Sequence, residues 1–135
     1  MAGIYLHIPF CRQACTYCNF HFSTSLSSKN EIIGSLLKEI ELRRDYLQGA
    51  VIETIYFGGG TPSLLSTAEI EALLKVVHRF HPVASTVEVT LEANPDDLDS
   101  DKLKQLYETG VNRLSIGIQS LFDEDLQWMH RAHSR

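Results

Sequence analysis

The segment Ile4-Tyr-Leu-His-Ile-Pro-Phe-Cys11-Arg-Gln-Ala-Cys15-Thr-Tyr-Cys18 joins a short apolar run to a cluster of thiols. In residues 4–8 the side chains alternate between two faces, with Tyr5 and His7 opposite three aliphatic residues, which predicts a β-strand. All three cysteines of the chain follow within eight residues. We therefore predict a first strand that runs directly into a cysteine-bearing loop.

Strand and helix patterns then alternate along the chain. Further strands are expected at residues 54–57, 87–91 and 113–118. Helices are expected to begin near residues 28, 66, 99 and 123. The first two helix starts read Ser-x-x-Glu, which is the capping-box pattern. Strict alternation of this kind implies a parallel sheet with right-handed crossovers.

Three of the predicted strands carry polar residues on one face, namely Tyr5, His7, Glu88, Thr90, Glu92, Ser115 and Gln119. A flat parallel sheet is covered on both faces, so its strands are nearly all apolar. A polar face suits the interior of a barrel that holds a polar ligand. We therefore expect an α/β fold, a parallel (β/α) barrel that is TIM-like, of which this chain supplies about four β/α units. Four units do not close a barrel, which predicts a truncated chain.

Composition narrows the class of protein. The chain has 135 residues with 44% apolar and 21% charged side chains, which is typical of a globular domain. The net charge of −5 and the lack of a Lys or Arg block predict no nucleic-acid partner. No apolar stretch has the roughly 18 residues of a membrane segment. An odd, clustered cysteine set without an export signal favours a reducing, cytoplasmic location.

The three thiols allow three interpretations. Thiolates at Cys11, Cys15 and Cys18 can bind three irons of a cubane and leave the fourth iron open to a small molecule. A structural zinc ion is the second interpretation, with His21 as the fourth ligand. The third is a set of buried, inert cysteines. The spacing of the cysteines favours the iron–sulfur cluster but does not exclude the other two interpretations.

A cradle for such a small molecule is expected at the ends of the other strands. Three glycines in a row, Gly58–Gly60, let a ligand approach the backbone. Glu92 and Gln119 are each predicted to end a strand on its polar face, where a carboxylate or an amide can bind a polar ligand. Arg131 could pair with a carboxylate. For Glu92 and Gln119 an ordinary solvent-exposed side chain is an equally good interpretation, and for Arg131 a solvated side chain is the more common one.

Taken together, these residues resemble the radical S-adenosylmethionine (SAM) enzymes, and within them the oxygen-independent coproporphyrinogen III oxidase family. The resemblance covers the whole chain, in order. It is carried by Tyr5-Leu-His-Ile-Pro-Phe-Cys11 with the CxxxCxxC motif, Tyr56-Phe-Gly-Gly-Gly-Thr-Pro-Ser63, Glu92-Ala-Asn-Pro95 and Asn112-Arg-Leu-Ser-Ile-Gly-Ile-Gln-Ser120. It implies that residues 1–135 are the N-terminal part of a radical SAM core domain, without the remaining barrel and a C-terminal domain.

The resemblance also implies the cofactors and their residues. A 4Fe-4S cluster would be held by Cys11, Cys15 and Cys18, and would reductively cleave SAM to methionine and a 5′-deoxyadenosyl radical. The family's SAM contacts fall on Tyr5, Tyr17, Gly59, Gly60, Thr61, Glu92, Gln119 and Arg131. In the oxidase some of these contacts serve a second SAM molecule.

One departure separates two branches of this family. The oxidase branch is similar to CxxxCxxCxC, but here the last position is Phe20. An aromatic residue there resembles the HemW branch of haem chaperones, which predicts that haem is bound in the full-length protein and passed to an acceptor protein. The alternative is decarboxylation of a porphyrinogen by the oxidase itself. Both branches imply an electron donor such as flavodoxin. A zinc-stabilised binding module remains as an alternative from another class of protein.

Overall fold

The computed structural model describes residues 2–135, which form one four-stranded sheet with helices on one side. The elements in chain order are β1 (Ala2–Ile8), α1 (Lys29–Leu42), β2 (Ile52–Gly59), α2 (Thr67–Phe80), β3 (Val83–Ala93), α3 (Ser100–Thr109), β4 (Arg113–Ile116) and α4 (Asp123–Trp128). Short 3-10 turns follow β2 and β3, at Pro62–Leu64 and Pro95–Asp97. Each strand pairs in parallel with the next, in the order β1-β2-β3-β4.

The register of the sheet separates a polar face from an apolar face. Tyr5 pairs with Tyr56, Tyr56 with Thr90, and Thr90 with Arg113, which brings these polar residues into one row across all four strands. The next row, Leu6, Phe57, Leu91 and Leu114, points to the helices. The predicted polar face is therefore confirmed.

The core lies between the apolar face and the helices. Ile70, Leu73, Leu74 and Val77 of α2 are all buried there, as the helical spacing predicts. In α3 the helical spacing predicts that Leu103, Leu106 and Tyr107 are buried, but only Leu106 is, and the prediction is wrong for the other two. α3 makes a few contacts with α2 and lies at the β4 end of the sheet. On the side of α3 that faces away from α2, no element within residues 2–135 covers it.

The sheet is not closed into a barrel within the described residues, so β1 and β4 each have one unpaired edge. The prediction of about four β/α units of a parallel barrel is confirmed in that open form. None of the helices in residues 2–135 combines the length and apolar character needed to cross a bilayer.

The end of β4 differs from the prediction. The strand was expected to extend through residue 118, but it ends at Ile116. Gly117 N–H still donates to Ala93 O of β3 at 3.0 Å, but the next N–H, that of Ile118, donates within its own segment to Ile116 O at 3.1 Å, and this local turn leads the chain away from the sheet. Gln119 then adopts a left-handed conformation with φ of 65°. It therefore lies in a turn and does not end a strand.

The two capping-box sequences behave differently. At α2 the box is complete, since Ser66 accepts from Glu69 N–H and Glu69 accepts from Ser66 N–H. At α1, Ser28 occupies the N-cap position, but its side chain accepts no hydrogen bond from the helix. Its backbone has φ −95° and ψ 6°, whereas a capping residue is typically extended. The capping box predicted at Ser28 is therefore wrong.

This pair of serines gives a stability test. We expect Ser66→Ala to lower the free energy of unfolding by about 1 kcal/mol, since it removes the acceptor for an N–H at the start of α2. Ser28→Ala is the matched control and should change stability only by a few tenths of that value. Urea unfolding followed by circular dichroism measures both. Equal losses from the two variants would contradict this assignment of the caps.

Candidate functional site

A cavity of about 310 Å³ lies at the carboxyl ends of the strands. The loop after β1, the loop after β2, the end of β3 and the segment after α4 contribute its walls. Ten of the eleven residues singled out from the sequence line it: Cys11, Cys15, Tyr17, Cys18, Gly59, Gly60, Thr61, Glu92, Gln119 and Arg131. The chain therefore brings together residues that are more than 110 positions apart, as the parallel topology predicts.

The cysteine loop has little regular structure of its own. A single β-bridge pairs Phe10 with Ser23, and Cys11 N–H donates to Ser23 O at 3.0 Å. Between these points the only local backbone bond runs from Cys18 N–H to Cys15 O, at 3.2 Å. The position of the thiols therefore depends on contacts with other segments.

The C-terminal clasp, residues 128–131, provides several of these contacts. Thr16 N–H donates to the carbonyl of Met129 at 3.1 Å. Nδ1 of His130 lies 2.9 Å from the carbonyl of Ala14, and since a carbonyl can only accept, this nitrogen carries the proton. The clasp thus holds the cysteine loop on both sides of Cys15.

All three thiols are free and partly exposed. Thr61 Oγ1 donates to Cys11 Sγ at 3.4 Å, and Nη1 of Arg131 donates to Cys15 Sγ at 3.6 Å. Burial raises the pKa of Cys11, the nearby Cys18 and Cys15 raise it further, and the bond from Thr61 and the charge of Arg131 oppose the change. Any metal that binds here has to displace a proton from that thiol.

The three thiols are the type of donor that an iron–sulfur cluster requires. Within residues 2–135, no three side chains of His, Cys, Asp or Glu converge on one ion position. A zinc site requires that convergence, with ligands about 2.0–2.3 Å from the metal. In a cubane each thiolate binds a different iron, so the thiols surround the cluster instead of meeting at a point. Three thiols at the wall of one cavity are a suitable donor set for it.

The three glycines after β2 have a structural explanation. A Cβ at Gly58 would come within 2.9 Å of the rings of Tyr56 and Tyr5, and one at Gly60 within 2.6 Å of the carbonyl of Phe10. Gly59 has φ of +118°, which side chains rarely adopt. Packing and backbone conformation therefore favour glycine at these positions with or without a ligand, so the run of glycines by itself does not decide whether a ligand is bound. Gly59 and Gly60 nevertheless line the cavity.

Glu92 is held at the end of β3 by two donors. Tyr56 donates its hydroxyl to Oε1 at 2.7 Å, and Gly59 N–H donates to Oε2 at 3.1 Å. Ser115 is its neighbour on β4 in the sheet register. The carboxylate is thus oriented by two residues of β2, which excludes the interpretation of a solvated strand-end residue.

This contact predicts a change in tyrosine ionisation. The hydrogen bond to Glu92 is the main cause that raises the pKa of Tyr56, and burial adds to it. Because the pKa is raised, the stabilisation is present below the ordinary value of about 10 and is lost as the pH rises through the folded value. We expect Glu92→Gln to lower the pKa of Tyr56, measured by ultraviolet titration with Tyr56→Phe as the reference.

Glu88→Gln is the matched control for that titration. Glu88 lies on the same strand and face but accepts from Thr90 Oγ1 at 3.1 Å and pairs with Arg113, without contacting Tyr56. Its replacement should leave the titration of Tyr56 unchanged. Equal shifts in the two variants would show that general charge, and not the hydrogen bond, controls the hydroxyl.

Arg131 connects more segments than any sequence argument indicated. Its Nη2 donates to Asn94 Oδ1 at 2.9 Å and to Gly117 O at 2.8 Å, and its Nη1 donates to the hydroxyl of Tyr17 at 3.3 Å. Its Nε is buried and has no partner among the described residues. A solvated arginine is therefore excluded, and one donor of the guanidinium remains for a ligand.

The other predicted contacts have different surroundings. Gln119 lines the cavity from the turn after β4. Tyr17 lines it as well, and burial raises its pKa. Tyr5 does not line it, because its ring stacks on Tyr56 with centroids 5.9 Å apart and its hydroxyl lies 3.3 Å from Nδ1 of His7.

Several residues at the site escaped the sequence analysis. Asn94 holds Arg131, Tyr56 holds Glu92, and Asp97 forms an ion pair with Arg12 of the cysteine loop. Tyr56 could have been found, since it shares the polar face with Tyr5 and Glu92 by strand alternation. Asn94 and Asp97 follow β3 in an irregular turn, where no periodicity predicts which side chains point inward.

Comparison with known proteins gives consistent relatives. The profile of the Radical SAM superfamily matches residues 5–135. The heme chaperone HemW of Escherichia coli (strain K12) is 40% identical over 97% of this chain, and that of Bacillus subtilis (strain 168) is 37% identical over 100%. The solved structure of coproporphyrinogen III oxidase (HemN) from Escherichia coli, described as a radical SAM enzyme, superposes with a TM-score of 0.89 at 29% identity over 98% of this chain.

These matches cover only part of each relative. The chain spans about a third of the length of the curated relatives, namely 35% of the Escherichia coli protein and 36% of the Bacillus subtilis protein. It likewise covers 31% of the HemN chain. The shared part contains the cysteine loop, the four strands and the cavity between them.

Proposed function

The chain belongs to the Radical SAM superfamily, and from this premise we propose that it is a HemW-like haem chaperone in haem metabolism. Membership of the superfamily implies binding of SAM and a 4Fe-4S cluster. When bound, the cluster supplies the electron for reductive cleavage of SAM. The proposal concerns which residues hold these groups and which molecule the protein handles.

Cys11, Cys15 and Cys18 would hold three irons, because they are the three free thiols at the cavity wall. SAM would occupy the adjoining cavity, with Tyr5, Tyr17, Gly59, Gly60, Thr61, Glu92, Gln119 and Arg131 as its proposed contacts. The unpartnered Nε–H of Arg131 can donate to a carboxylate, and the fixed carboxylate of Glu92 can accept from a hydroxyl or amine. Tyr5 is the least direct of these, since it does not line the cavity and its ring stacks on Tyr56.

The observation that carries the haem assignment is the 40% identity to a heme chaperone over nearly the whole chain, against 29% to an oxidase of the same fold. Phe20 supports it. This residue stands where the oxidase pattern has a further cysteine, and its ring lines the cavity while 74% exposed. The loop thus presents an aromatic surface where the oxidase pattern has a thiol.

The partners follow from this proposal. Haem would be the cargo, an acceptor protein would receive it, and an electron donor such as flavodoxin would reduce the cluster. Three free thiols are compatible with a reducing compartment, so we place the protein in the cytoplasm. Net charge of −5 gives no support for nucleic acid as a partner.

The oxidase is the second candidate, because its solved structure superposes on nearly the whole chain. The two are separated by an anaerobic assay of the reconstituted full-length protein with SAM, a reductant and coproporphyrinogen III. We expect no protoporphyrinogen IX, together with stoichiometric haem binding in a parallel spectroscopic titration. Steady formation of protoporphyrinogen IX would establish the oxidase instead.

Reconstitution itself tests the cofactor assignment. Anaerobic incubation with iron and sulfide should give a brown protein that binds iron in a fixed molar ratio to the protein chain. A colourless protein that retains one zinc ion per chain would identify a zinc-stabilised binding module, and would refute the cluster.

A further inference from the structure

Asp97 ends the short 3-10 turn after β3 and carries a carboxylate whose side chain is only 1% exposed. A buried carboxylate is costly unless cations and hydrogen-bond donors surround it. Oδ2 accepts a hydrogen bond from Ser63 Oγ at 2.6 Å. Oδ1 lies 2.6 Å from Arg12 Nη2 in an ion pair, although the angle of that contact is not that of a hydrogen bond. Asp97 therefore contacts the loop after β1 and the loop after β2 at once.

The contacts of Ser63 extend this connection. Its Oγ accepts from Asn94 N–H at 3.3 Å, and Oδ1 of Asn94 accepts from Nη2 of Arg131 at 2.9 Å. Arg131 in turn contacts Cys15 Sγ. One continuous set of polar contacts thus joins Asp97 to both ends of the loop segment between the first two cysteines.

Arg12 is the part of the cysteine loop that reaches Asp97. It directly follows Cys11, in a stretch that makes no regular secondary structure. Lys102 is a second cation near Asp97, but its Nζ donates to the carbonyl of Leu65 at 2.7 Å and belongs to another element. The ion pair with Arg12 is therefore the contact through which Asp97 acts on the loop.

We propose that Asp97 is a positioning residue that, through its ion pair with Arg12, fixes the cysteine loop in the arrangement that receives the cluster. The identity of the bound group, a 4Fe-4S cluster, rests on the proposed function. The anchoring of the loop by Asp97 does not depend on a bound cluster, so the anchoring and the proposed function can fail separately.

The first test measures loop mobility without any cluster. Asp97→Asn keeps the shape of the side chain and removes its charge. We expect Cys11 and Cys15 to react about tenfold faster with N-ethylmaleimide in this variant, resolved by peptide mass spectrometry. Asp96→Asn is the matched control, since Asp96 is an exposed residue of the same turn, and it should stay within about twofold of the native protein. Equal rates in the two variants would overturn the proposal.

A double-mutant cycle tests whether Asp97 acts through Arg12. Arg12→Gln leaves the buried carboxylate without its counter-charge, so it should accelerate labelling at least as much as Asp97→Asn. The double variant should be no faster than the faster single variant, because the two changes remove the same contact. Multiplicative effects would show that the residues act independently and would refute the mechanism.

The third readout distinguishes positioning from general stabilisation. In the reconstituted Asp97→Asn protein we expect a lower cluster content and, in the loaded fraction, a shifted midpoint potential of the cluster. A purely structural role would lower the melting temperature and leave that potential at the native value, which would overturn the proposal. If the native protein takes up no cluster, the proposed function fails, while the labelling experiment still decides whether Asp97 anchors the loop.

Discussion

Cys15→Ser is expected to reduce cluster content to background, the largest functional effect that any single substitution in this chain should have. Two thiolates cannot replace three in holding a cubane, and a serine hydroxyl is a poor ligand for iron at neutral pH. Cys15 is also the thiol that Nη1 of Arg131 approaches, at 3.6 Å. Iron and sulfide analysis after anaerobic reconstitution, together with the electron paramagnetic resonance signal of the reduced protein, measures the loss.

Thr24→Ser is a suitable control for that experiment. Thr24 is exposed in the same loop region, and it lies six residues beyond the last cysteine. Its replacement adds the same serine side chain without removing a thiol, so cluster content should stay at the native value. A Cys15→Ser protein that retains a reducible cluster would show that the metal is held by other residues.

Gly60→Ala is expected to have the largest effect on stability. A Cβ at this position would lie 2.6 Å from the carbonyl oxygen and 2.8 Å from the nitrogen of Phe10, and backbone atoms cannot move aside as a flexible side chain can. Gly60 N–H also donates to Ile8 O at 2.8 Å, which fixes the spacing. We expect a loss of about 1–3 kcal/mol in the free energy of unfolding.

Gly34→Ala provides the opposite expectation for the same chemical change. Gly34 lies within α1, and a Cβ there meets no atom within 4 Å. Alanine should therefore stabilise the helix by about 0.5–1 kcal/mol. Thermal unfolding compares the two variants, with shifts on the order of 4 °C for each kcal/mol. A Gly60→Ala protein as stable as the native one would show that Phe10 can shift freely.

Because Phe10 leads directly into Cys11, Gly60→Ala should also weaken cluster binding. The added methyl group would push the start of the cysteine loop away from the loop after β2. It would also disturb the 2.6 Å bond from Thr61 N–H to Phe10 O. Cluster content should therefore fall together with stability in this variant, whereas Gly34→Ala should leave it unchanged.

Period-two alternation predicted the part of the site that lies on strands. Glu92 and Tyr5 were placed on one face of the sheet because side chains in a strand alternate, and the register confirms that placement. The buried stripe of α2 followed in the same way from the helical period. Local periodicity is preserved when a chain folds, so these elements could be found without a structure.

The irregular segments could not be predicted by the same reasoning. Gln119 was expected at the end of a strand, but the hydrogen bond from Ile118 N–H to Ile116 O turns the chain first. The contact between Arg131 and Cys15 joins residues 116 positions apart, and no local pattern specifies such a pairing. The structural reason for the glycines at the end of β2 could not be predicted either, because the atoms that exclude a Cβ there include Phe10 of the loop after β1.

The clasp has a consequence for the order of events during synthesis. All three thiols emerge from the ribosome early, but the residues that hold Ala14 and Thr16 come 116 and 113 positions later. At ~5–20 residues per second, that delay is roughly 6 to 23 s. During this interval the cysteine loop lacks the contacts of the clasp, so the thiols are more open to oxidation and to the wrong metal. Iron delivery should therefore be productive only after residue 131 has emerged, and a nascent chain stalled before it should load poorly.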